Sequence, residues 1–321
     1  MPTKKSQKDR LQISVVLPIV NEVDMVGQLI PEIIKTLSQS GSSFEVIAVD
    51  DGSEDSTIDV LRELKGIYKD QFHFIRHLYN RGNGAALRSG ASVARGEIVV
   101  FMDADGQHSP AEIHNLLDRI PPYDLVIGAR QKDYQGPRMR KLANSFYNLF
   151  ASWLSRTKVE DLTSGFRAMR RDVLRHFLPL LPSGFSSPTT ITLSFLKGGY
   201  NVCYVPVDVK PRQKGESKIS IWRDGSRFII IILRMTMLYD PLRIFLPISL
   251  GLAGFGFVAW ILGWINAGRL VLPNSAILLL AGSLFTWLLG MVSTQISGSS
   301  AYYHSDETII LDDEPVYNIH E

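Results

Sequence analysis

The 321-residue chain has a single cysteine, Cys203, so no disulfide framework can form. A lone thiol inside an apolar run reads as core packing rather than as a nucleophile. Glycine and lysine do not fall at the Walker spacing, and no dinucleotide fingerprint is present, which disfavours phosphoryl transfer on such loops. No signal peptide is expected either. Residues 1–10 are basic, but the apolar stretch 13–20 is short, is broken by Pro18 and lacks a small-residue cleavage site. Internal repeats and low-complexity segments are missing as well. The most consequential absence is of charge near the C-terminal end: residues 244–265 carry none, and a second uncharged run extends from Leu270 until His304.

A bilayer core is about 30 Å thick and a helix rises about 1.5 Å per residue, so each run is long enough for one crossing. Between them lie only residues 266–269, then Pro273 and Asn274, enough turn chemistry for a helical hairpin. The alternative is a buried helical pair in a soluble core. As a hairpin, the two runs put both ends in one compartment. The front of the chain is dense in Lys and Arg while the connection holds only Arg269, so the positive-inside bias predicts a cytoplasmic soluble part and cytoplasmic termini. That describes a multi-pass protein of the inner (cytoplasmic) membrane or its equivalent. Residues 300–321 hold six acids and no Lys or Arg, so the net charge of +2 conceals +8 on the remainder. A basic body suits a partner bearing phosphate, and the acidic tail reads as a solvated end.

From residue 11 short apolar runs alternate with helical patterns, which predicts an α/β domain with a mostly parallel sheet. Strands are expected at 14–18, 44–49, 72–78, 97–102 and 123–129. Val26, Leu29, Ile30, Ile33, Ile34 and Leu37 recur at helical spacing before Gly41, and a helix over 85–95 stops at Gly96. Ser109, Pro110 and Glu112 form a capping-box pattern that opens a further helix. In such a sheet, ligands sit beyond the carboxyl ends of the strands. Those ends read Pro18-Ile19-Val20-Asn21-Glu22, Asp50-Asp51-Gly52-Ser53 and Asp103-Ala104-Asp105-Gly106-Gln107-His108. Carboxylates gathered at one edge repel and invite a cation. Asp103, Asp105 and Gln107 offer hard oxygens suited to Mg²⁺ or Mn²⁺ with positions left for a diphosphate. Taken singly, Asp-x-Asp and Asp-Asp-Gly-Ser are ordinary turn and capping chemistry. The glycine-rich, basic stretch 80–84 at a helix start favours an anion.

With those pieces in order, the chain resembles family 2 glycosyltransferases of the GT-A (Rossmann-like) fold, and within them the polyprenyl-phosphate glycosyltransferases such as dolichyl-phosphate mannose synthase. The resemblance covers about residues 11–242, with the membrane hairpin appended. It rests also on Gly128-Ala129-Arg130, on Asp161-Leu162-Thr163-Ser164-Gly165-Phe166-Arg167, and on Arg212 with Gly215-Glu216-Ser217-Lys218. It implies a GT-A domain (11–213), a membrane-proximal interfacial segment (214–242) and a transmembrane hairpin (243–298), flanked by the basic tail (1–10) and the acidic tail (299–321) that are read from charge. It further implies that Pro18, Val20, Glu22, Asp50 and Asp51 line the nucleotide pocket, that Asp103, Asp105 and Gln107 hold the metal and sugar diphosphate, and that Arg130, Arg138, Arg212 and Lys218 meet the phosphates of donor and lipid acceptor. The expected reaction moves one hexose, with inversion, from a UDP- or GDP-sugar to undecaprenyl or dolichyl phosphate. No nucleic acid is expected as a partner. The Gln-x-x-Arg-Trp element of processive synthases is absent, since Ile219 precedes Trp222-Arg223 where glutamine would stand.

Some roles stay open at this level. Asp161 orients the sugar, orients an arginine such as Arg167, or is a plain turn residue. Residues 139–153 form an amphipathic helix, either at a membrane interface or facing the core. The run 219–238 carries too many charges for a third span. Gly282, Thr286 and Gly290 put small residues on one face, compatible with close helix packing or a homo-oligomer. Another lipid acceptor, such as a diacylglycerol, would demand a general base that a phosphate dianion does not need. A non-catalytic nucleotide-sugar-binding scaffold is the remaining class.

Overall fold

The computed structural model describes residues 11–130, 138–184, 186–209, 221–299, 309–311 and 314–316, which fall into two compact units, Met1–Phe228 with His304–Glu321 and Ile229–Tyr303. In the first unit the apolar runs become β1 (Ile13–Ile19), β2 (Phe44–Asp50), β3 (Phe72–Arg76), β4 (Ile98–Phe101), β5 (Leu125–Arg130), β6 (Arg167–Arg170) and β7 (Val202–Val207). Two short strands, β8 (Ile309–Leu311) and β9 (Glu314–Val316), complete a sheet of order β7-β5-β6-β4-β1-β2-β3-β8-β9. The acidic tail is therefore not simply a solvated end, because β8 pairs antiparallel with β3 at Ile75 and Leu311.

β1 pairs parallel with both β2 and β4, running Ile13 opposite Phe44 to Ile19 opposite Asp50. β2 and β3 are parallel too, as are β5 and β7, while β6 is antiparallel to both β4 and β5. Every position of β2 is buried, as expected for a strand covered on both faces. Its cover comes from α1 (Val23–Gln39), α2 (Thr57–Tyr68) and α3 (Asn83–Val93); α4 (Glu112–Leu117), α6 (Arg171–Phe177) and α7 (Ser187–Lys197) lie against the β4-to-β7 half of the sheet, and α5 (Arg138–Ser155) packs on α7. α1 buries Val26, Leu29, Ile30, Ile33, Ile34 and Leu37, the stripe its spacing predicts.

Local sequence misleads at two places. The capping box at Ser109 does not form: α4 begins at Glu112, whose amide donates to the Ser109 carbonyl, and no side chain caps the helix. Pro110 instead belongs to a turn that shortens α4 to a little over one turn. α7 reads Ser-Pro-Thr-Thr-Ile-Thr at its start, a β-branched run of poor helix propensity, yet Thr189, Thr190, Thr192 and Ser194 are all buried. Packing, not propensity, holds that helix.

α8 (Ile221–Tyr239) leads into the second unit, which contains α9 (Leu242–Ala267) and α10 (Asn274–Ser299). Each of these last two has 26 residues, about 39 Å at the usual rise, and is long and apolar enough to cross a bilayer. Phe255, Ile265, Leu278 and Phe285 are exposed on them, which overturns the alternative of a buried helical pair. Gly268 ends α9 in the left-handed region, φ 62°, and Pro273 packs back on Gly263. Ser249 and Ser283, both buried, exchange hydroxyl-to-carbonyl bonds of 3.0 and 2.9 Å across the pair. Gly290 lies against Phe245 within the hairpin, whereas Gly282 faces open space, so the small residues of α10 do not serve one common contact.

α3 makes its closest approach to the sheet at Gly90, where an added Cβ would run into the Val16 side chain and stand 3.0 Å from Val49 Cγ2. Alanine gains about 1 kcal/mol of helix propensity over glycine, but overpacking costs about 1–3 kcal/mol. Gly90→Ala is therefore expected to lower the melting temperature of the detergent-solubilised protein, as read by thermal denaturation.

Candidate active site

Because β1, β2 and β4 run parallel, their carboxyl ends deliver residues 20–22, 50–53 and 102–108 to one edge of the sheet. β5, parallel to β4 through the intervening antiparallel β6, ends at the same edge with Arg130, and the segment entering β6 brings Asp161–Arg167 beside it. Pro18, Val20 and Glu22 are partly exposed on the first of these ends, and Glu22 caps the start of α1 with its carbonyl. The β1 and β2 loops are tied together: the Asn21 amide donates to Ser53 Oγ at 2.9 Å, the Glu54 amide to Asn21 Oδ1 at 2.9 Å and the Glu22 amide to Thr57 Oγ1 at 3.2 Å. Asn21 adopts φ 55° to make this turn, a conformation asparagine tolerates better than most residues.

The two acids of the second loop have different surroundings. Asp50 is fully buried; its Oδ1 accepts from the Ser53 amide at 3.0 Å, and its Oδ2 has no hydrogen bond but faces Arg76 Nε at 3.6 Å. Asp51 is occupied on both oxygens. Oδ1 takes His77 Nδ1 at 2.7 Å and the Arg81 amide at 2.9 Å, and Oδ2 takes the Gly82 amide at 2.7 Å. Burial pushes this carboxyl up, but the bonds from His77, Arg81 and Gly82 outweigh it and hold the group below the ordinary carboxylate value. The anion expected at the glycine-rich 80–84 loop is thus supplied from within, by Asp51 itself.

Asp103, Asp105 and Gln107 are partly exposed on the loop after β4, where Asp105 Oδ1 accepts from the Gln107 amide at 3.1 Å. Gly165 closes on this loop: a Cβ there would stand 2.5 Å from Asp103 Oδ2. Among the described residues no three His, Cys, Asp or Glu side chains form a closed metal cage. Two carboxylates and an amide, with the side-chain-free Gly165 against one of them, nevertheless fit an open oxygen site for a hard divalent ion that keeps positions for a ligand. His108 follows, buried, its ring stacked on Phe166 at 4.8 Å, and burial lowers its pKa.

Asp161 resolves into an arginine-orienting group, and the arginine is Arg130. Nε donates to Oδ2 and Nη2 to Oδ1, both at 2.8 Å, a two-point pairing that Thr163 Oγ1 supports. Burial pushes Asp161 up, but the guanidinium and the Arg130 and Thr163 amides outweigh it and keep the carboxyl low. Arg167 stands elsewhere. It is fully buried, donates to the Pro188 and Ser164 carbonyls and to Thr192 Oγ1 rather than to carboxylates, and burial draws its pKa down to about 10. Arg138 starts α5, with its side chain outside the described residues; Arg212 and Lys218 lie outside them altogether. Phe146, Leu149 and Trp153 of α5 are exposed, and Phe150 stacks between the Phe146 and Trp153 rings, while Tyr147, Ala151 and Leu154 face inward. No motif in the sequence includes His77 or Ser89, and His108 and Thr163 stand in quoted motifs without a role of their own. The one available signal is position, since His77 directly follows a strand whose parallel neighbour β2 ends in acids.

A mostly parallel nucleotide-binding-type sheet with acids at its carboxyl edge defines a GT-A-like glycosyltransferase domain. Residues 14–178 match glycosyl transferase family 2, to which the chain belongs, and residues 240–298 match the GtrB C-terminal hairpin. The polyprenol monophosphomannose synthase of Mycolicibacterium smegmatis is 31% identical over 64% of this chain and 80% of that protein. The undecaprenyl-phosphate 4-deoxy-4-formamido-L-arabinose transferase of Pseudomonas fluorescens is 26% identical over 76% and 70%. In fold, the chain is similar to glucosyl-3-phosphoglycerate synthase from Mycobacterium tuberculosis, crystallised with Mn²⁺, UDP and glucosyl-3-phosphoglycerate, at a TM-score of 0.53 and 20% identity over 71% and 81% of the two chains.

The depressed carboxyls of Asp51 and Asp161 stabilise the fold above the unfolded carboxylate pKa, and that contribution is lost as pH falls through their folded values. Asp161→Asn is expected to lower the melting temperature at pH 7 and to flatten part of its decline in acid. An acid limb identical to that of the wild type would show that the Arg130 pair adds no stability.

Proposed function

We propose that this protein transfers one hexose from a nucleotide-diphosphate sugar to polyprenyl phosphate, giving polyprenyl-phosphate sugar at the cytoplasmic face of a membrane. The observation that carries the reading is the convergence of Asp50, Asp103, Asp105 and the Asp161–Arg130 pair on one sheet edge, in a family 2 chain that also carries two helices long enough to cross a bilayer. The names of the two relatives above support the acceptor. In the reaction, the bond from the anomeric carbon to the nucleoside diphosphate breaks and a bond to an acceptor phosphate oxygen forms on the opposite face, with inversion as the resemblance implies.

The acceptor needs little activation. A phosphate monoester with a second pKa of about 6 is mostly dianionic at neutral pH, so no strong general base is required. The harder task is to hold one anion beside another, which favours arginine. Asp161 fixes the Arg130 guanidinium in plane, and with it a charge at the edge where the diphosphate would lie. Arg138, Arg212 and Lys218 are proposed for the acceptor phosphate from the family resemblance. Pro18, Val20 and Glu22 would line the nucleotide cleft, with the buried Asp50 and Asp51 shaping it from behind. A Mg²⁺ or Mn²⁺ ion held by Asp103, Asp105 and Gln107 would supply Lewis-acid neutralisation of the departing diphosphate. The exposed Phe146, Leu149 and Trp153 face of α5 suits the headgroup region of the bilayer, where aromatic rings are favoured.

The reading is tested by supplying the purified protein with UDP- and GDP-hexoses, Mn²⁺ or Mg²⁺, and either polyprenyl phosphate or diacylglycerol, with mass detection of the lipid product. A glycosylated polyprenyl phosphate is expected; a glycosylated diacylglycerol, or no product with any donor, overturns it. Asp105→Ala is expected to abolish transfer while leaving membrane insertion intact, and robust transfer by that variant would remove the metal assignment.

A further inference from the structure

Behind the cleft, Ser89, His77 and Asp51 form a chain in which all three side chains are buried: His77 Nε2 lies 2.9 Å from Ser89 Oγ, and His77 Nδ1 lies 2.7 Å from Asp51 Oδ1. An ionised Asp51 only accepts, so a proton sits on Nδ1, and the Ser89 hydroxyl meets the other ring nitrogen. The order is that of a nucleophilic triad, but Ser89 is buried on α3, where no substrate reaches it. The end of the chain indicates its use. Asp51 spends its remaining capacity on the Arg81 and Gly82 amides, and Gly52 sits so close to the same loop that a Cβ would fall 2.5 Å from the Tyr79 carbonyl carbon.

Hydrophobic burial does not hold this loop. Leu78 and Tyr79 are 91% and 68% exposed, so apolar contact contributes little to its position. What fixes it is polar: the bonds to Asp51, a 2.8 Å bond from the His77 amide to the Asp50 carbonyl, and a 3.0 Å bond from the Gly84 amide to the Ser183 carbonyl. A carboxylate that binds two amides must keep one orientation, and His77 is the side chain that sets it. We propose that His77 is a positioning residue for donor binding: through Asp51 it locks the 79–82 loop as a wall of the nucleotide cleft beside Asp50. The inference rests on the cleft being the donor site, as proposed above.

The test uses the full-length protein in detergent, with His77→Ala, His77→Asn and Ser89→Ala, and reads two quantities. Hydrogen exchange at the Arg81 and Gly82 amides reports the loop, and calorimetry reports the Kd of UDP or GDP, whichever the wild type binds with Mn²⁺. His77→Ala is expected to speed exchange at both amides and to raise Kd about tenfold, the scale of one lost hydrogen bond to a charged group. With donor and acceptor supplied, KM for the sugar nucleotide should rise in parallel while kcat stays within about twofold. Asparagine places an amide donor near the Nδ1 position, so His77→Asn should recover most of both losses, which a purely space-filling role would not predict. Ser89→Ala should shift both readouts in the same direction by less, and it serves if His77→Ala does not fold. Unchanged exchange in a folded His77→Ala, or faster exchange with an unchanged Kd, overturns the proposal. Wild-type protein that binds neither nucleotide would instead remove the donor-site reading, while the exchange data would still report whether the relay holds the loop.

Discussion

Parallel pairing of β1 with β2 and with β4 is the constraint on which the rest depends. Parallel strands start and finish together, so three segments far apart in sequence must release their following loops on the same side. That alone brings residues 20–22, 50–53 and 102–108 together without any attraction between them. Their charges in fact oppose it. The cost is met locally: Asp51 accepts hydrogen bonds from two amides and a histidine, Asp161 pairs with a guanidinium, and Asp50 lies beside Arg76. Asp103 and Asp105 are partly exposed, and the divalent ion proposed for them would offset their charge.

The two acids of Asp50-Asp51 illustrate how one dipeptide divides its labour. Neighbours on a chain leaving a strand point in different directions, so Asp50 faces Arg76 and Asp51 turns to the 79–82 loop. A similar division separates Arg130 from Arg167. The first is held in a two-point pair at the edge, whereas the second is sealed in the core and satisfies the carbonyls of Ser164 and of Pro188 at the start of α7. Both occur near Asp161, and only the fold distinguishes them.

The strands β1 to β5, the stripe on α1 and the two long apolar helices were legible in the sequence, because each rests on a periodicity or run length that local chemistry preserves. The acids at the strand ends were legible for the same reason, since their place follows from the strands. β6 was not, because Arg167-Ala-Met-Arg170 looks polar until tertiary burial hides Arg167. α7 was not, because its threonines argue for a strand. The capping box misled because Ser109 spent its carbonyl, not its side chain, on the turn. The His77–Ser89 contact joins a strand end to the middle of a helix, and no spacing rule in one dimension could announce it.

The reciprocal bonds between Ser249 and Ser283 carry a mechanical consequence. In hydrocarbon there is no water to replace a broken hydroxyl contact, so sliding one helix past the other would strand two donors at once. Gly256 and Gly290, each filled by a side chain of the facing helix, add a ratchet of shape to that latch. The pair should therefore tilt or rotate as one rod, transmitting any reorientation of its axis undiminished instead of absorbing it as internal shear.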